Sequence, residues 1–117
     1  MTPVRVVDGD TFEARLRIWF GQDVVTLVRL RNIDAPELKS RCDAEAKLAV
    51  EARTTLEEIL LSGAVVLHDL SLDKYAGRVV ASARIVARDH ADDVGELMLA
   101  GGYARPYGGG RRQGWCG

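Results

Sequence analysis

The sequence is poor in the features that mark membrane proteins and general nucleic-acid binders. No apolar run approaches the roughly 20 residues that a membrane helix needs, so we expect no membrane partner. Aromatic residues make up only 6% of the chain and the formal net charge is -1, which argues against a broad basic surface for non-specific binding to nucleic acid. Any affinity for phosphate must therefore come from locally clustered positive charge or from a bound metal.

Cysteine is also scarce, since the sequence contains two, Cys42 and Cys116. Their separation matches no zinc motif, and the two histidines do not supply further ligands at useful spacings. Two interpretations stay open at this point, a disulfide and a pair of unrelated free thiols. A disulfide would close a long loop, stabilise the fold by about 4 kcal/mol in the chain-entropy model and imply an oxidising compartment.

Length and composition predict one soluble globular domain over residues 1–117. Hydrophobic residues make up 47% and charged residues 28% of the chain, which is ordinary for such a domain. The chain is too short for two domains of the usual size. No internal repeat and no interdomain linker interrupts it.

A hairpin near the start of the chain predicts that two aspartates come together. Residues 11–20 alternate apolar and polar side chains, which is typical of a half-buried strand, and residues 24–33 follow as a second strand. If the turn is centred on Gln22, the numbers of antiparallel partners sum to about 44, so Asp10 lies opposite Asp34. Two such carboxylates repel each other unless a cation or a proton lies between them. Oxygen ligands favour calcium or magnesium over zinc; the alternative is that both aspartates are ordinary turn residues.

The remaining pattern predicts a mainly β fold with one long and one short helix. The other elements are expected as a strand at 4–7, a helix at 44–61 capped by Asp43, strands at 64–70 and 78–86, a helix at 93–100 capped by Asp92, and an extended segment at 103–107. Five strands around one long helix are typical of a small, partly open, five-stranded OB-fold barrel. Residues 108–117 form a glycine-rich tail.

The stretch from Arg29 to Glu37 gathers charged side chains where the second hairpin strand must stop, because Pro36 cannot donate a hydrogen bond to a neighbouring strand. Glu37 follows Asp34 by three residues and is placed to reach a water beside a metal, which makes it a general-base candidate. Arg29 and Arg78 would supply planar, bidentate contacts to a phosphate and its developing negative charge. For Arg78, a solvated arginine at a strand edge is an equal alternative. Together these groups predict metal-assisted phosphodiester hydrolysis.

Three segments of the chain, in the right order, resemble the signature segments of the staphylococcal nuclease-like, or thermonuclease, family. They are residues 7–11 (VDGDT), 29–37 (RLRNIDAPE) and 73–78 (DKYAGR). Residues 94–107 also resemble the family's second helix and the segment after it, so the resemblance covers roughly residues 4–107. It implies an OB-fold barrel and a calcium-dependent endonuclease that acts on DNA and RNA.

The resemblance also implies the role of individual residues in calcium binding and catalysis. By position, Asp10 and Asp34 match the calcium-binding carboxylates, and the main-chain carbonyl of Ala35 matches a third ligand. Glu37 matches the general base that activates a water for in-line attack on phosphorus. The family's reaction cleaves the 5′ P–O bond and leaves 3′-phosphate ends.

Contacts to the substrate are implied in the same way. Arg29 and Arg78 match the two arginines that bind the scissile phosphate and stabilise the pentacoordinate state. Lys74, Tyr75 and Tyr107 lie where the family places residues that contact the nucleotide.

Two departures from the family pattern affect the site. Ala35 stands where threonine is frequent, which keeps the carbonyl ligand and removes a hydroxyl contact. Ala76 lengthens the segment before Arg78 by one residue, which would change how this arginine approaches the phosphate.

A third departure is that the family's C-terminal helix has no counterpart, because residues 108–117 are too rich in glycine. A Cys42–Cys116 disulfide would instead fasten this tail to the loop after Glu37. Trp115 within the tail is interpreted as a packing residue. The inferred disulfide and the family's usual export predict a secreted or periplasmic protein, with a cytoplasmic location as the alternative.

Three functions compete at this stage. The first is an active calcium-dependent nuclease, which we expect to be a monomer. The second is a catalytically silent module of the same fold that binds nucleic acid or protein; such modules usually lose several of the acids and arginines, which are all present here. The third is an unrelated OB-fold protein that binds single strands, which the near-neutral charge and low aromatic content disfavour.

Overall fold

A six-stranded sheet contains most of the β structure in the computed structural model, which describes residues 1–19, 21–39, 42–73, 77–110 and 114–116. Its strands are β1 (Thr2–Asp8), β2 (Thr11–Trp19), β3 (Gln22–Leu30), β5 (Ala64–Asp73), β6 (Arg78–Val86) and β7 (Ala91–Asp93). Two short strands, β4 (Ile33–Asp34) and β8 (Arg105–Pro106), pair separately. The predicted mainly β fold is therefore confirmed.

The order of strands in the large sheet is β1-β2-β3-β6-β5, with the short β7 attached to β6. The β3–β6 pair is parallel and the other pairs are antiparallel. These five strands are the five that the sequence predicts. Within the described ranges no pairing joins β1 to β5, so the sheet does not close into a complete barrel.

Two helices, α1 (Asp43–Leu60) and α2 (Val94–Ala100), pack against β1 and β6 and against each other. The long and the short helix are thus confirmed. Helix α1 buries one stripe at helical spacing, formed by Ala49, Ala52, Leu56 and Leu60. Neither helix in the described part of the chain has the length and apolarity needed to span a bilayer.

The predicted N-terminal caps of both helices are wrong by one residue. The cap position of α1 is Cys42, whose extended backbone (φ -144°, ψ 153°) precedes the first turn, and its side chain makes no capping hydrogen bond. Asp43 instead lies in that first turn, where its charge suits the helix dipole. The cap of α2 is Asp93, the last residue of β7, whose carboxylate accepts from the backbone N–H of Glu96 at 2.9 Å; Asp92 lies one residue earlier in the same strand.

The register of the β2–β3 hairpin differs from the predicted one. Thr11 pairs with Arg29, and the backbone N–H of Leu30 donates to the carbonyl of Asp10 at 2.7 Å. Asp10 therefore lies opposite Leu30 and not opposite Asp34. The reason is that the turn comes earlier in the chain than Gln22, since Gln22 already pairs with Trp19, and that the register shifts between Arg17 and Trp19.

The two aspartates nevertheless meet, because the chain turns back after β3. Asn32 has a positive φ of 68°, a conformation that asparagine tolerates better than most residues. Beyond this turn, the backbone N–H of Ala35 donates to the Asp10 carboxylate at 2.9 Å. Residues 30–35 thus wrap around Asp10, and the encounter comes from the turn rather than from strand register.

Gly9 follows the end of β1, between Asp8 and Asp10, and helix α1 packs closely against it. A Cβ at this position would lie 2.7 Å from the Cβ of Ala52 in α1 and 3.1 Å from the Cβ of Ala35. The absence of a side chain therefore lets α1 approach the segment that holds Asp10.

Replacing Gly9 by alanine is expected to lower the free energy of unfolding by about 1–3 kcal/mol, because the added methyl overpacks this contact. Urea unfolding followed by circular dichroism measures the change. Gly108→Ala is the matched control, since a Cβ there meets no atom within 4 Å. Equal unfolding midpoints for Gly9→Ala and the unaltered protein would contradict this packing role.

Candidate active site

Asp10 is a buried carboxylate whose two oxygens have defined partners. Its residue is 6% exposed. Oδ1 accepts from the Thr11 hydroxyl at 2.9 Å, and Oδ2 accepts from the Ala35 N–H at 2.9 Å. Arg29 Nη1 lies 3.6 Å from Oδ2. A carboxylate has about four lone-pair positions. These contacts therefore leave Asp10 with a lone pair that can bind a further partner, such as a cation.

Asp34 is buried beside it, at 3% exposure. Its Oδ1 lies 3.9 Å from Arg29 Nη2, and its Oδ2 accepts from the indole Nε1 of Trp115 at 3.4 Å. Its backbone pairs with Arg105 in the small β4–β8 sheet. The structure therefore brings Asp10, Asp34 and Ala35 together, as the sequence predicts, with the guanidinium of Arg29 against both carboxylates.

This arrangement suits a hard cation. Among the described residues, the guanidinium of Arg29 lies within 3.9 Å of both buried carboxylates, and its side chain is only 13% exposed. Like charges in a site of low dielectric constant need compensation. The donors are all oxygen, namely the carboxylates and the adjacent Ala35 carbonyl, which are ligands that Ca²⁺ accepts, with waters completing its coordination.

A cavity of about 190 Å³ opens beside Asp10. It is lined by Asp8, Asp10, Thr11, Arg29, Glu37, Arg78 and Tyr107. Four of the residues predicted for catalysis and metal binding, from three separate stretches of the sequence, thus line one space. Carboxylates and guanidinium groups lie on its walls together, which is the combination that a phosphate and its attacking water require.

Glu37 is held in this wall by its main chain. Its backbone N–H donates to Oε2 of Glu45 at 2.9 Å, and Glu45 lies in the first turn of α1. The preceding Pro36 is fully buried. The exposed Glu37 side chain therefore projects from an anchored backbone, which favours a defined position for its carboxylate.

Arg78 lies at the first position of β6 and faces the cavity despite the extra residue before it. Its Nε lies 3.3 Å from Oδ2 of Asp73, across the end of the β5–β6 pair. Arg29 and Arg78 also line a neighbouring cavity of about 360 Å³, together with Arg31 and Tyr107. Arg78 therefore lines both cavities, and its role in binding a phosphate stays a prediction.

Of the three residues predicted to contact the nucleotide, Tyr107 lies in the described part of the chain. The Tyr107 ring lies 5.8 Å from the guanidinium carbon of Arg29, and its backbone N–H donates to the carbonyl of Asn32 at 2.8 Å. It borders both cavities. Lys74 and Tyr75 lie outside the described residues.

Sequence reasoning assigned no site role to Asp8 or Glu45. Asp8 lines the cavity, and its Oδ1 accepts from the backbone N–H of Leu38 at 3.4 Å. Its spacing of two residues from Asp10 is a signal that could have indicated it, since alternate residues of an extended segment share a face. Glu45 gave no such signal, because its role depends on how the loop after Asp34 returns to α1.

The predicted Cys42–Cys116 disulfide is present. It joins the start of α1 to the tail, where the guanidinium of Arg105 lies 3.8 Å from the centre of the Trp115 ring. The sequence predicts only a packing role for Trp115, but its indole N–H donates to Asp34. Among the described residues, the one group of three potential side-chain metal ligands within 4.8 Å is Cys42, Glu45 and Cys116; the two sulfurs are bonded to each other and so do not bind a metal.

The sequence of this chain is similar to a known protein family. The family model described as staphylococcal nuclease homologue matches residues 27–113. This range includes most of the cavity wall, from Arg29 through Glu37 and Arg78 to Tyr107. No curated protein sequence matches the chain.

Proposed function

This chain belongs to the staphylococcal nuclease homologue family, and on that premise we propose that it is a calcium-dependent endonuclease that hydrolyses phosphodiester bonds of DNA and RNA. The observation that carries the proposal is the cavity that Asp10, Arg29, Glu37 and Arg78 line together. A silent binding module, the alternative function, has no need for a carboxylate and two arginines around one space beside a buried acid pair. Their joint presence favours the enzyme.

In this proposal Asp10, Asp34 and the Ala35 carbonyl hold the calcium ion. The bound ion supplies a Lewis acid that polarises a phosphate oxygen and offsets its negative charge. The chain's own contribution is to keep the ligands in place. Thr11 and the Ala35 N–H fix the Asp10 carboxylate, so little reorganisation is needed when a ligand arrives.

Glu37 is proposed as the general base. Its carboxylate takes a proton from a water in the cavity as that water forms a bond to phosphorus, and the bond from phosphorus to the 5′ oxygen breaks on the opposite side. The 5′ oxygen takes a proton from solvent water as it leaves, so that the nucleic acid is left with a 3′-phosphate end and a 5′-hydroxyl end. The backbone of Glu37 is hydrogen-bonded to Glu45, which helps to orient the Glu37 carboxylate toward the water.

Arg29 and Arg78 are proposed to bind the scissile phosphate. Each guanidinium can donate two parallel hydrogen bonds to phosphate oxygens, and these bonds strengthen as negative charge grows on those oxygens in the transition state. Tyr107, beside Arg29 at the cavity edge, is placed to contact the adjoining nucleotide. The proposed substrates are thus DNA and RNA strands.

The disulfide supports a proposed location in an oxidising compartment, as a secreted or periplasmic protein. A nuclease in such a compartment would act on nucleic acid that lies outside the cytoplasm.

Removal of calcium is the direct test of the proposed function. Purified protein incubated with plasmid DNA or with RNA is expected to cleave both in the presence of Ca²⁺ and neither after addition of EGTA, with activity restored by excess Ca²⁺. Gel electrophoresis follows the cleavage, and end-labelling identifies the 3′-phosphate. Absence of cleavage with Ca²⁺, or equal cleavage with EGTA, would overturn the proposal; binding without cleavage would support the silent module.

Asp10→Asn tests the proposed calcium site without removing side-chain volume. We expect the Kd for Ca²⁺ to rise by at least about tenfold, because affinity depends on the number of ligand charges. The amide oxygen can still accept from the Ala35 N–H, so the fold should persist. Isothermal titration calorimetry measures the Kd, and the exposed Asp89→Asn serves as the control. An unaltered Kd for Asp10→Asn would contradict this ligand assignment.

A further inference from the structure

The tail segment 114–116 lies against the proposed calcium site. The indole Nε1 of Trp115 donates to Asp34 at 3.4 Å, and Arg105 covers the ring at 3.8 Å from its centre. Arg105 Nη1 also donates to the carbonyl of Gly114 at 2.8 Å. Cys116, the next residue, is covalently bonded to Cys42. The tail thus reaches a buried ligand of the site through one side chain.

The position of Trp115 depends on the bonds at its two sides. Residues 114–116 belong to no helix or strand, so no ladder of backbone hydrogen bonds orders them. The Arg105 contacts hold the segment from within the small β4–β8 sheet, since Arg105 is paired with Asp34 itself. The disulfide holds the other side. Without it, ordering the tail would cost conformational entropy that the long hydrogen bond to Asp34 and the two Arg105 contacts, one to the Trp115 ring and one to the Gly114 carbonyl, offset only in part.

We propose that Trp115 is a positioning residue for Asp34, and that the Cys42–Cys116 disulfide makes cation binding at this site dependent on the redox state of the protein. The inference rests on the proposed function, because it assumes that Asp34 binds the cation. In the oxidised protein the indole N–H orients the Asp34 carboxylate. In the reduced protein the tail leaves Asp34, and the affinity for the cation falls.

The helix end that carries the disulfide has a second connection to the site. Cys42 is the cap position of α1, and Glu45, in the first turn, accepts from the backbone N–H of Glu37. The bond to Cys116 is therefore next to the residue that anchors the proposed general base. Loosening of this helix end on reduction would affect Glu37 as well as Asp34.

The redox step is an ordinary thiol–disulfide exchange. Cys116 is exposed, so the thiolate of an external dithiol can attack its sulfur, form a mixed disulfide and release Cys42 as a thiolate. The second thiol of the dithiol then closes on the first and releases Cys116. The protein gains two electrons and two protons as two thiols, and the dithiol becomes a cyclic disulfide. A nuclease built in this way would bind its cation weakly in a reducing cytoplasm and fully after export.

Terbium titration is the test, because Tb³⁺ replaces Ca²⁺ at oxygen sites and emits when a nearby indole is excited. The proteins compared are the unaltered chain, Trp115→Phe, Trp19→Phe and the double variant Cys42→Ser, Cys116→Ser. We expect sensitised emission from the unaltered protein and from Trp19→Phe, the matched control at the closed end of the β2–β3 hairpin. Emission should be lost in Trp115→Phe and strongly reduced in the double serine variant and in protein reduced with dithiothreitol and desalted.

Calorimetry with Ca²⁺ and the calcium dependence of cleavage separate positioning from a general loss of structure. For Trp115→Phe and the double serine variant we expect the Kd for Ca²⁺ to rise about tenfold, at the small end of what is lost when a hydrogen bond behind a metal ligand is removed. For Trp115→Phe, kcat at saturating Ca²⁺ should stay unchanged. Circular dichroism at the titration temperature verifies that each variant is folded; Trp115→Phe keeps an aromatic ring under Arg105 and is the variant least prone to unfold.

Two results would overturn the inference, and they are distinguishable. If the unaltered protein binds Ca²⁺ and cleaves DNA while Trp115→Phe and the double serine variant have the same Kd, the tail does not position Asp34 and only this inference fails. If the unaltered protein binds neither Ca²⁺ nor Tb³⁺, the proposed function fails and this inference with it.

Discussion

Replacement of Glu37 by glutamine is expected to lower the kcat of DNA cleavage about 10³-fold, within the range that general-base catalysis contributes. The amide has nearly the same shape as the carboxylate but does not accept a proton from water at neutral pH. The hydrogen bond that anchors this residue runs from the backbone N–H of Glu37 to the carboxylate of Glu45, so it does not involve the side chain of Glu37. The variant should therefore keep its fold and its Kd for Ca²⁺ while losing turnover.

Single-turnover cleavage of a labelled oligonucleotide at saturating Ca²⁺ measures this loss, because it reports the chemical step rather than product release. Glu58→Gln is a suitable control, since Glu58 is an exposed residue of α1 that does not line the cavity. A kcat for Glu37→Gln close to that of the control would mean that another group takes the proton, and the assignment of Glu37 would be wrong.

The encounter of Asp10 with Asp34 shows how a sequence can predict a contact for the wrong reason. The strands of the hairpin are recognisable because their apolar side chains alternate. Their register depends on the number of residues in the turn, and a small change there slides every pair along the strand. The predicted pairing was wrong for this reason, whereas the contact exists because Asn32 turns the chain and returns Ala35 to Asp10.

The helices show a related limit. The lengths of α1 and α2 follow from the spacing of their apolar residues, but the choice among adjacent candidates for a cap depends on backbone angles. Asp93 adopts the extended conformation (φ -74°, ψ 124°) that lets its carboxylate reach the N–H of Glu96. Asp92 and Asp93 both pair with β6, and Asp93 is the cap because α2 begins at the next residue, Val94. Composition alone does not distinguish the two.

The tail is the part of the site that sequence patterns predicted least. The disulfide is one of the two interpretations that a count of two cysteines allows, and it is present. The contact of Trp115 with Asp34 has no local signal, because the two residues are far apart in the chain; among the described residues, the disulfide and Arg105 hold the tail beside Asp34. Contacts of this kind depend on the completed fold.

Arg78 follows a segment that Ala76 makes one residue longer than the family pattern. Ala76 lies outside the described residues, but Arg78 lines the same cavity as Glu37 and Arg29. Its Nε contacts Asp73 at 3.3 Å, whereas bidentate binding of a phosphate can use the terminal nitrogens. The pairing with Asp73 therefore orients the guanidinium at the strand end without preventing its use on a phosphate.

Arg78→Gln is accordingly expected to lower kcat about 10³-fold, as is usual when a donor to the developing charge of the transition state is removed. The Kd for Ca²⁺ should stay unchanged, because Arg78 is not among the proposed ligands, and the Michaelis constant should change far less than kcat. Arg84→Gln, an exposed arginine of the same strand outside the cavity, controls for the loss of one positive charge. If Arg78→Gln cleaved DNA as fast as Arg84→Gln, the extra residue would have moved Arg78 out of catalytic reach, and Arg29 alone would have to stabilise the phosphorane.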